Sequence, residues 1–212
     1  MTPEFEKGFT VVKKIITKPT ARFLYNYFLL KREVSKFLYA NKWPYLHEST
    51  HGKFGDDQVP NTYANYSDIT FETLLLAVQP KLEKATGLKL CPNYTYARIY
   101  KNGDILHRHK DRFSCEISTT LFLGGDPWPI YIAENKKRNT KGVEVNLSQG
   151  DMLVYRGNIL EHWREPFEGK DCAQVFLHYN NLKGKNAKQN LYDQRPMLGL
   201  PNYFKGFTVT KK

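Results

Sequence analysis

Apolar positions along this chain follow two rhythms, a helical one in the first half and a strand-like one in the second. Residues 8–16, Gly-Phe-Thr-Val-Val-Lys-Lys-Ile-Ile, open as a strand. Thr17-Lys18-Pro19-Thr20 then offers a capping hydroxyl and a proline for a first helical turn. Phe23, Leu24, Tyr27, Phe28, Val34, Phe37 and Leu38 follow at helical spacing, which predicts a helix packed on a sheet. A second helix is predicted after Ser67-Asp68. Phe71, Leu74, Leu75, Val78 and Leu82 share one of its faces, and Gly87 supplies a left-handed stop. Pro80 lies inside it and predicts a kink or two short helices.

From Asn93 to Tyr179 the pattern is one strand after another, with candidates at 94–100, 105–109, 116–123, 128–133, 143–147, 151–155 and 172–179. Six to eight short strands closed by glycine turns predict a mainly β (α+β) sandwich or jelly roll, with the helices on its outer sheet. Residues 41–67 are polar, aromatic and bear Pro and Gly. They are too long for an ordinary connector, and are either an irregular surface segment or a lid. The stretch 181–212 is polar and basic, an appendage. No internal repeat is present.

A length of 212 residues fits one domain, 1–212. Within it a helical and lid part spans about 1–92, a jelly-roll core about 93–180 and the appendage about 181–212. With 41% apolar and 25% charged residues the chain is globular. No apolar run approaches the ~18 residues of a membrane span. The N-terminus shows no signal-peptide pattern, and Cys91, Cys115 and Cys172 form no C-x-x-C, so reduced thiols in a cytoplasmic protein are expected. The net charge of +11 lies largely in short runs (Lys13-Lys14, Lys136-Lys137-Arg138, Lys183-Gly184-Lys185, Lys211-Lys212), which points to solvated loops and tails before nucleic acid.

Candidate chemistry sits at His109-Lys110-Asp111 and, 53 residues on, at His162. Two histidines and one carboxylate can hold Fe(II) on three corners of an octahedron and leave three open. Positions i and i+2 of a strand point the same way, so His109 and Asp111 can grip one ion while Lys110 points elsewhere. His107 alternates onto the same face and is a rival ligand. His178 is a fourth imidazole, better suited to the core or to supporting the ligands.

The flanks extend the pattern. Tyr100 stands nine residues before His109, and Gly150-Asp151-x-Leu153-x-Tyr155, His162-x-x-x-Pro166 and Gly169-Lys170 follow in order. Together these pieces, over roughly residues 94–180, resemble the Fe(II)/2-oxoglutarate-dependent dioxygenases, and among them the prolyl 4-hydroxylase-like group. The resemblance implies a double-stranded β-helix with Fe(II) on His109, Asp111 and His162. It also implies 2-oxoglutarate as co-substrate, O2, and ascorbate as an accessory reductant. 2-Oxoglutarate would leave as succinate and CO2 while a substrate C–H bond is oxidised.

The far carboxylate of 2-oxoglutarate needs a cation, and the related hydroxylases place a Lys or Arg nine or ten residues after the distal histidine. Lys170, eight residues after His162, is the candidate, with Arg164 in reserve. Tyr100 can donate to the same carboxylate, and Ser118 and Thr120 share a strand face that could also bind it. The implied substrate is a proline in a protein or peptide. Alternatives are a free amino acid, an alkylated base, or a jelly-roll binding module without catalysis.

Overall fold

A computed structural model describes residues 1–43, 50–134 and 140–207. The basic runs at Lys136-Lys137-Arg138 and Lys211-Lys212, and residues 44–49 of the expected lid, lie outside the described residues.

The chain forms an antiparallel double-stranded β-helix. Its strands are β1 (Phe9–Val12), β2 (Lys53–Phe54), β3 (Tyr63–Tyr66), β4 (Leu90–Lys101), β5 (Leu106–His109), β6 (Ile117–Gly125), β7 (Ile130–Ile132), β8 (Val143–Val145), β9 (Met152–Tyr155), β10 (His162–Arg164) and β11 (Asp171–Asn181). One sheet has seven strands in the order β1-β9-β6-β11-β4-β3-β2. The other has four, β5-β10-β7-β8.

Helices α1 (Pro3–Glu6), α2 (Lys18–Ala40) and α3 (Ile69–Thr86) precede the core strands. The main core lies between α2, α3 and the outer face of the larger sheet. There Phe28, Phe71, Leu75 and Leu82 meet Ala97, Leu121, Val175 and Leu177. The predicted caps are present: the Thr17 hydroxyl accepts from the Thr20 amide at 3.2 Å, Asp68 accepts from Thr70 and Phe71, and Gly87 closes α3 with φ +69°.

Three expectations change. Pro80 does not split α3, which runs unbroken from Ile69 to Thr86. The carbonyl it leaves unbonded belongs to exposed Leu76, where water can satisfy it. The apolar stripe of α2 is two seams: Leu24, Phe28 and Leu38 are buried, while Phe23, Val34 and Phe37 face outward. Residues 55–62 are packed down, because Asp56 pairs with Arg98 of β4 and the Thr62 hydroxyl donates to Asp104 at 2.6 Å.

The basic C-terminal stretch is docked, not loose. Arg195, buried, pairs with buried Glu72 of α3 at 2.7 Å, and Asp193 accepts from Tyr66 at 2.6 Å and from Arg112 at 2.8 Å. Among the described residues no helix is long and apolar enough to cross a membrane. All three cysteines are buried and free.

Candidate metal centre

Strand register creates the centre. β10 runs antiparallel to β5 with His162 directly opposite His109, so two residues far apart in sequence become cross-strand neighbours with ring centroids 4.2 Å apart. Asp111 follows β5 in a turn, and its amide donates to the Gly157 carbonyl at 2.9 Å. Its Oδ1 then lies 3.7 Å from His109 Nε2 and 3.5 Å from His162 Nε2. One ligand atom from each of the three falls within 4.8 Å of the others.

The imidazoles are set for coordination. His109 Nδ1 bonds the His107 carbonyl at 2.7 Å and His162 Nδ1 bonds the Leu160 carbonyl at 3.1 Å. A carbonyl only accepts, so each Nδ1 carries the proton and each Nε2 offers its lone pair inward. Burial alone would raise the Asp111 pKa. The neighbouring His162, and the hydrogen bonds that His162 and His109 give when their rings are protonated, outweigh burial and leave the carboxyl well below its usual range and ionised; a metal ion would take the place of those protons. These donors, two neutral nitrogens and one carboxylate oxygen with room on the far side, fit an octahedral ion held on three corners.

His107 is turned out of the group. The register has His162 opposite His109 but Arg164 opposite Leu106, two residues on β10 against three on β5. That bulge puts buried Leu106 where strict alternation would have put His107, which is exposed. A cavity of about 190 Å³ opens over the three groups. Its walls include Tyr94, Tyr96 and Arg98 of β4, Tyr155 of β9, and Phe176 and His178 of β11.

The structure does not bring Lys170 to this centre. It is exposed in the turn before β11, where its amide donates to Asp126. Nine and ten residues after His162 stand Asp171, paired outward with Arg32, and buried Cys172. The buried cation is instead Arg164, two residues after His162 on the same strand and only 1% exposed. Its guanidinium lies 5.0 Å from the Trp128 ring and donates to the Trp128 carbonyl, with a 3.4 Å contact to Thr120 Oγ1. Its Nε has no partner among the described residues, no carboxylate acts on it, and burial lowers its pKa.

Tyr100 is fully buried, edge-on to Trp128 at 4.9 Å, and its hydroxyl accepts from Arg98 at 3.3 Å. Thr120 is buried and donates to Gln174 at 2.9 Å. Ser118 is engaged elsewhere, donating to Asp111 Oδ2.

Other features escape a local view of the sequence. Arg98 and Asp56, 42 residues apart, form a buried pair with bonds of 2.7 and 2.9 Å. His178 is stacked on Tyr94 at 4.5 Å and sits beside Cys115. Burial pushes the Cys115 thiol up, but the neighbouring His178 outweighs it and leaves the thiol lowered. Gly157 packs so closely that a Cβ there would overlap Asp111 Oδ2 and Ser118 Oγ. A glycine after a strand reads as an ordinary turn, and only the structure makes it a clearance.

No protein-family model matches the chain, and no curated protein sequence does either. Solved structures do match. A prolyl-4-hydroxylase from Pseudomonas putida superposes with a TM-score of 0.55 at 14% identity, covering 82% of this chain and 92% of its own. The viral collagen prolyl hydroxylase from Paramecium Bursaria Chlorella virus-1, in complex with 2-oxoglutarate, gives 0.53 at 10% identity, covering 84% and 98%. HygX from Streptomyces hygroscopicus, with nickel, 2-oxoglutarate and hygromycin B bound, gives 0.59 at 13% identity, covering 86% and 88%. What this chain has in common with them is the fold, an antiparallel double-stranded β-helix.

Proposed function

We propose that this protein is an Fe(II)- and 2-oxoglutarate-dependent oxygenase whose metal ligands are His109, Asp111 and His162. One observation carries the proposal: both Nε2 atoms stand 3.5–3.7 Å from Asp111 Oδ1, with both Nδ1 protons tied to carbonyls. Fe(II) held there would let O2 oxidise 2-oxoglutarate to succinate and CO2 with one oxygen atom and a substrate C–H bond to C–OH with the other.

The protein's own groups divide the remaining work. Arg164 receives the far carboxylate of 2-oxoglutarate. Two residues along a strand advance about 6.6 Å, the reach of a five-carbon dicarboxylate chelated at its other end. Tyr100 and Thr120 line that niche, and Trp128 covers it and keeps water out. The aromatic walls Tyr94, Tyr96 and Phe176 receive the substrate. Ascorbate would keep the iron reduced.

The substrate class we propose is proline in a protein or peptide. Two proteins of like fold are prolyl hydroxylases, and the aromatic walls suit a compact, apolar ring. A second class, a small hydroxylated molecule, is favoured by the likeness to HygX with hygromycin B bound. Succinate formation with a proline-rich peptide, free proline, hygromycin B and a single-stranded oligonucleotide separates them. Acceleration by the peptide alone supports prolyl hydroxylation, and acceleration by another arm replaces it.

A further inference from the structure

Asp111 has two carboxylate oxygens, and they meet different surroundings. Oδ1 faces the two histidines, and Oδ2 accepts the Ser118 hydroxyl. Ser118 has one proton to give, and an ionised carboxylate can only accept, so that proton points at Oδ2. His178 Nδ1, 3.1 Å from the same Oγ, must then donate to it. The His178 ring cannot drift, since Tyr94 stacks on it at 22° and 4.5 Å, and the Arg112 guanidinium lies 4.3 Å from the Tyr94 ring. Ser118 and His178 are 0% and 5% exposed, so water does not compete for these bonds. The bare Cα of Gly157 leaves the space in which Oδ2 and Ser118 Oγ meet.

We propose that Ser118 and His178 are positioning residues that restrict Asp111 to offering one oxygen to the metal. This rests on the metal-ligand assignment above. The consequence lies in coordination number. A carboxylate gripping with both oxygens would take a fourth corner of the octahedron, and a chelating co-substrate together with O2 needs three free. Ser118 occupies Oδ2 and so keeps that corner open. His178 acts through Ser118, by fixing the direction of its hydroxyl.

The test uses the full-length protein with Mn(II) and no turnover. Bound waters on Mn(II) are counted by water-proton relaxation, and 2-oxoglutarate binding to the Mn(II) protein is titrated. In Ser118→Ala, Oδ2 is free to chelate. The water count is expected to fall from three to two and 2-oxoglutarate affinity to drop about 10- to 100-fold, the usual scale for a lost support to a ligand.

His178→Phe keeps an aromatic ring against Tyr94 and removes the donor to Ser118, together with the interaction with Cys115. It should move both readouts the same way by less, and it carries the test alone if Ser118→Ala does not fold. The double variant should match Ser118→Ala in water count, because the hydrogen bond of His178 reaches Asp111 only through Ser118. An unchanged water count and affinity in the single variants, or additive losses in the double, overturn the proposal. Failure of the metal assignment itself looks different: wild type would bind no Mn(II), or His109→Ala would bind it equally well.

Discussion

Replacing Arg164 by Met should make the empty protein more stable and the co-substrate site worse. Arg164 is a buried cation whose only described partners are the Trp128 carbonyl, a long contact to Thr120 and the face of Trp128. An isolated buried charge costs several kcal/mol, which these contacts offset only in part. Met fills a similar volume without charge. The net gain in stability is then about 2 kcal/mol, and at about 2–4 °C per kcal/mol for a chain of this size the melting temperature rises about 4–8 °C. Loss of a charge-assisted hydrogen bond to a carboxylate costs about 1.5–3 kcal/mol, so 2-oxoglutarate affinity falls about 10- to 150-fold. Thermal melts of the metal-free protein and titration of 2-oxoglutarate into the Mn(II) form measure both. A variant that melts lower and binds 2-oxoglutarate like wild type would refute the account and move the anion to another cation, with Arg98 next in line.

Three further outcomes follow from neighbouring contacts. Lys170→Ala should change 2-oxoglutarate affinity less than about twofold in the same titration, since the side chain is exposed in the turn before β11. Gly157→Ala should weaken Mn(II) binding at least about tenfold while near-UV circular dichroism stays native, because a Cβ there displaces Asp111 and Ser118. Asp56→Asn should cost about 3–5 kcal/mol in denaturant melts at neutral pH, the usual result of breaking a buried pair. Burial raises the Asp56 pKa, but Arg98 outweighs it and leaves it below the ordinary 3.8. The stabilisation is therefore complete above that value and fades only as the pH falls through the lower native one, so the variant's deficit should shrink in strong acid.

The parts of this molecule that were legible in sequence are those governed by local rules. Thr17, Asp68 and Gly87 bound helices through bonds within a few residues: α2 begins after Thr17, and α3 begins after Asp68 and stops at Gly87, as these residues predict. The strands from 94 to 179 follow from their apolar runs. His109 and Asp111 share a turn, and His162 lies opposite His109 once β5 and β10 pair. β10 itself has only three residues, too few to carry a rhythm, and β2 and β3 sit in a stretch that reads as irregular.

Counting from the related pattern points to Lys170, which the structure leaves exposed, and alternation points to Arg164, which it buries. Position 170 is still turn, whereas 164 shares the inward face of 162 by the two-residue strand period. His107 fails for the converse reason, because a bulge that no single strand reveals breaks the alternation. Arg98 with Asp56, and Ser118 with His178, depend on pairings across 42 and 60 residues, which only the folded sheet decides.

The most direct test of the central claim is succinate formation from 2-oxoglutarate by the Fe(II)-loaded protein under air, beside His109→Ala and His162→Ala. The account predicts turnover in wild type and its loss, by about 100-fold or more, in both variants with the fold intact. Turnover that survives either substitution would contradict it, as would its absence from folded wild type shown to carry iron and offered each substrate class.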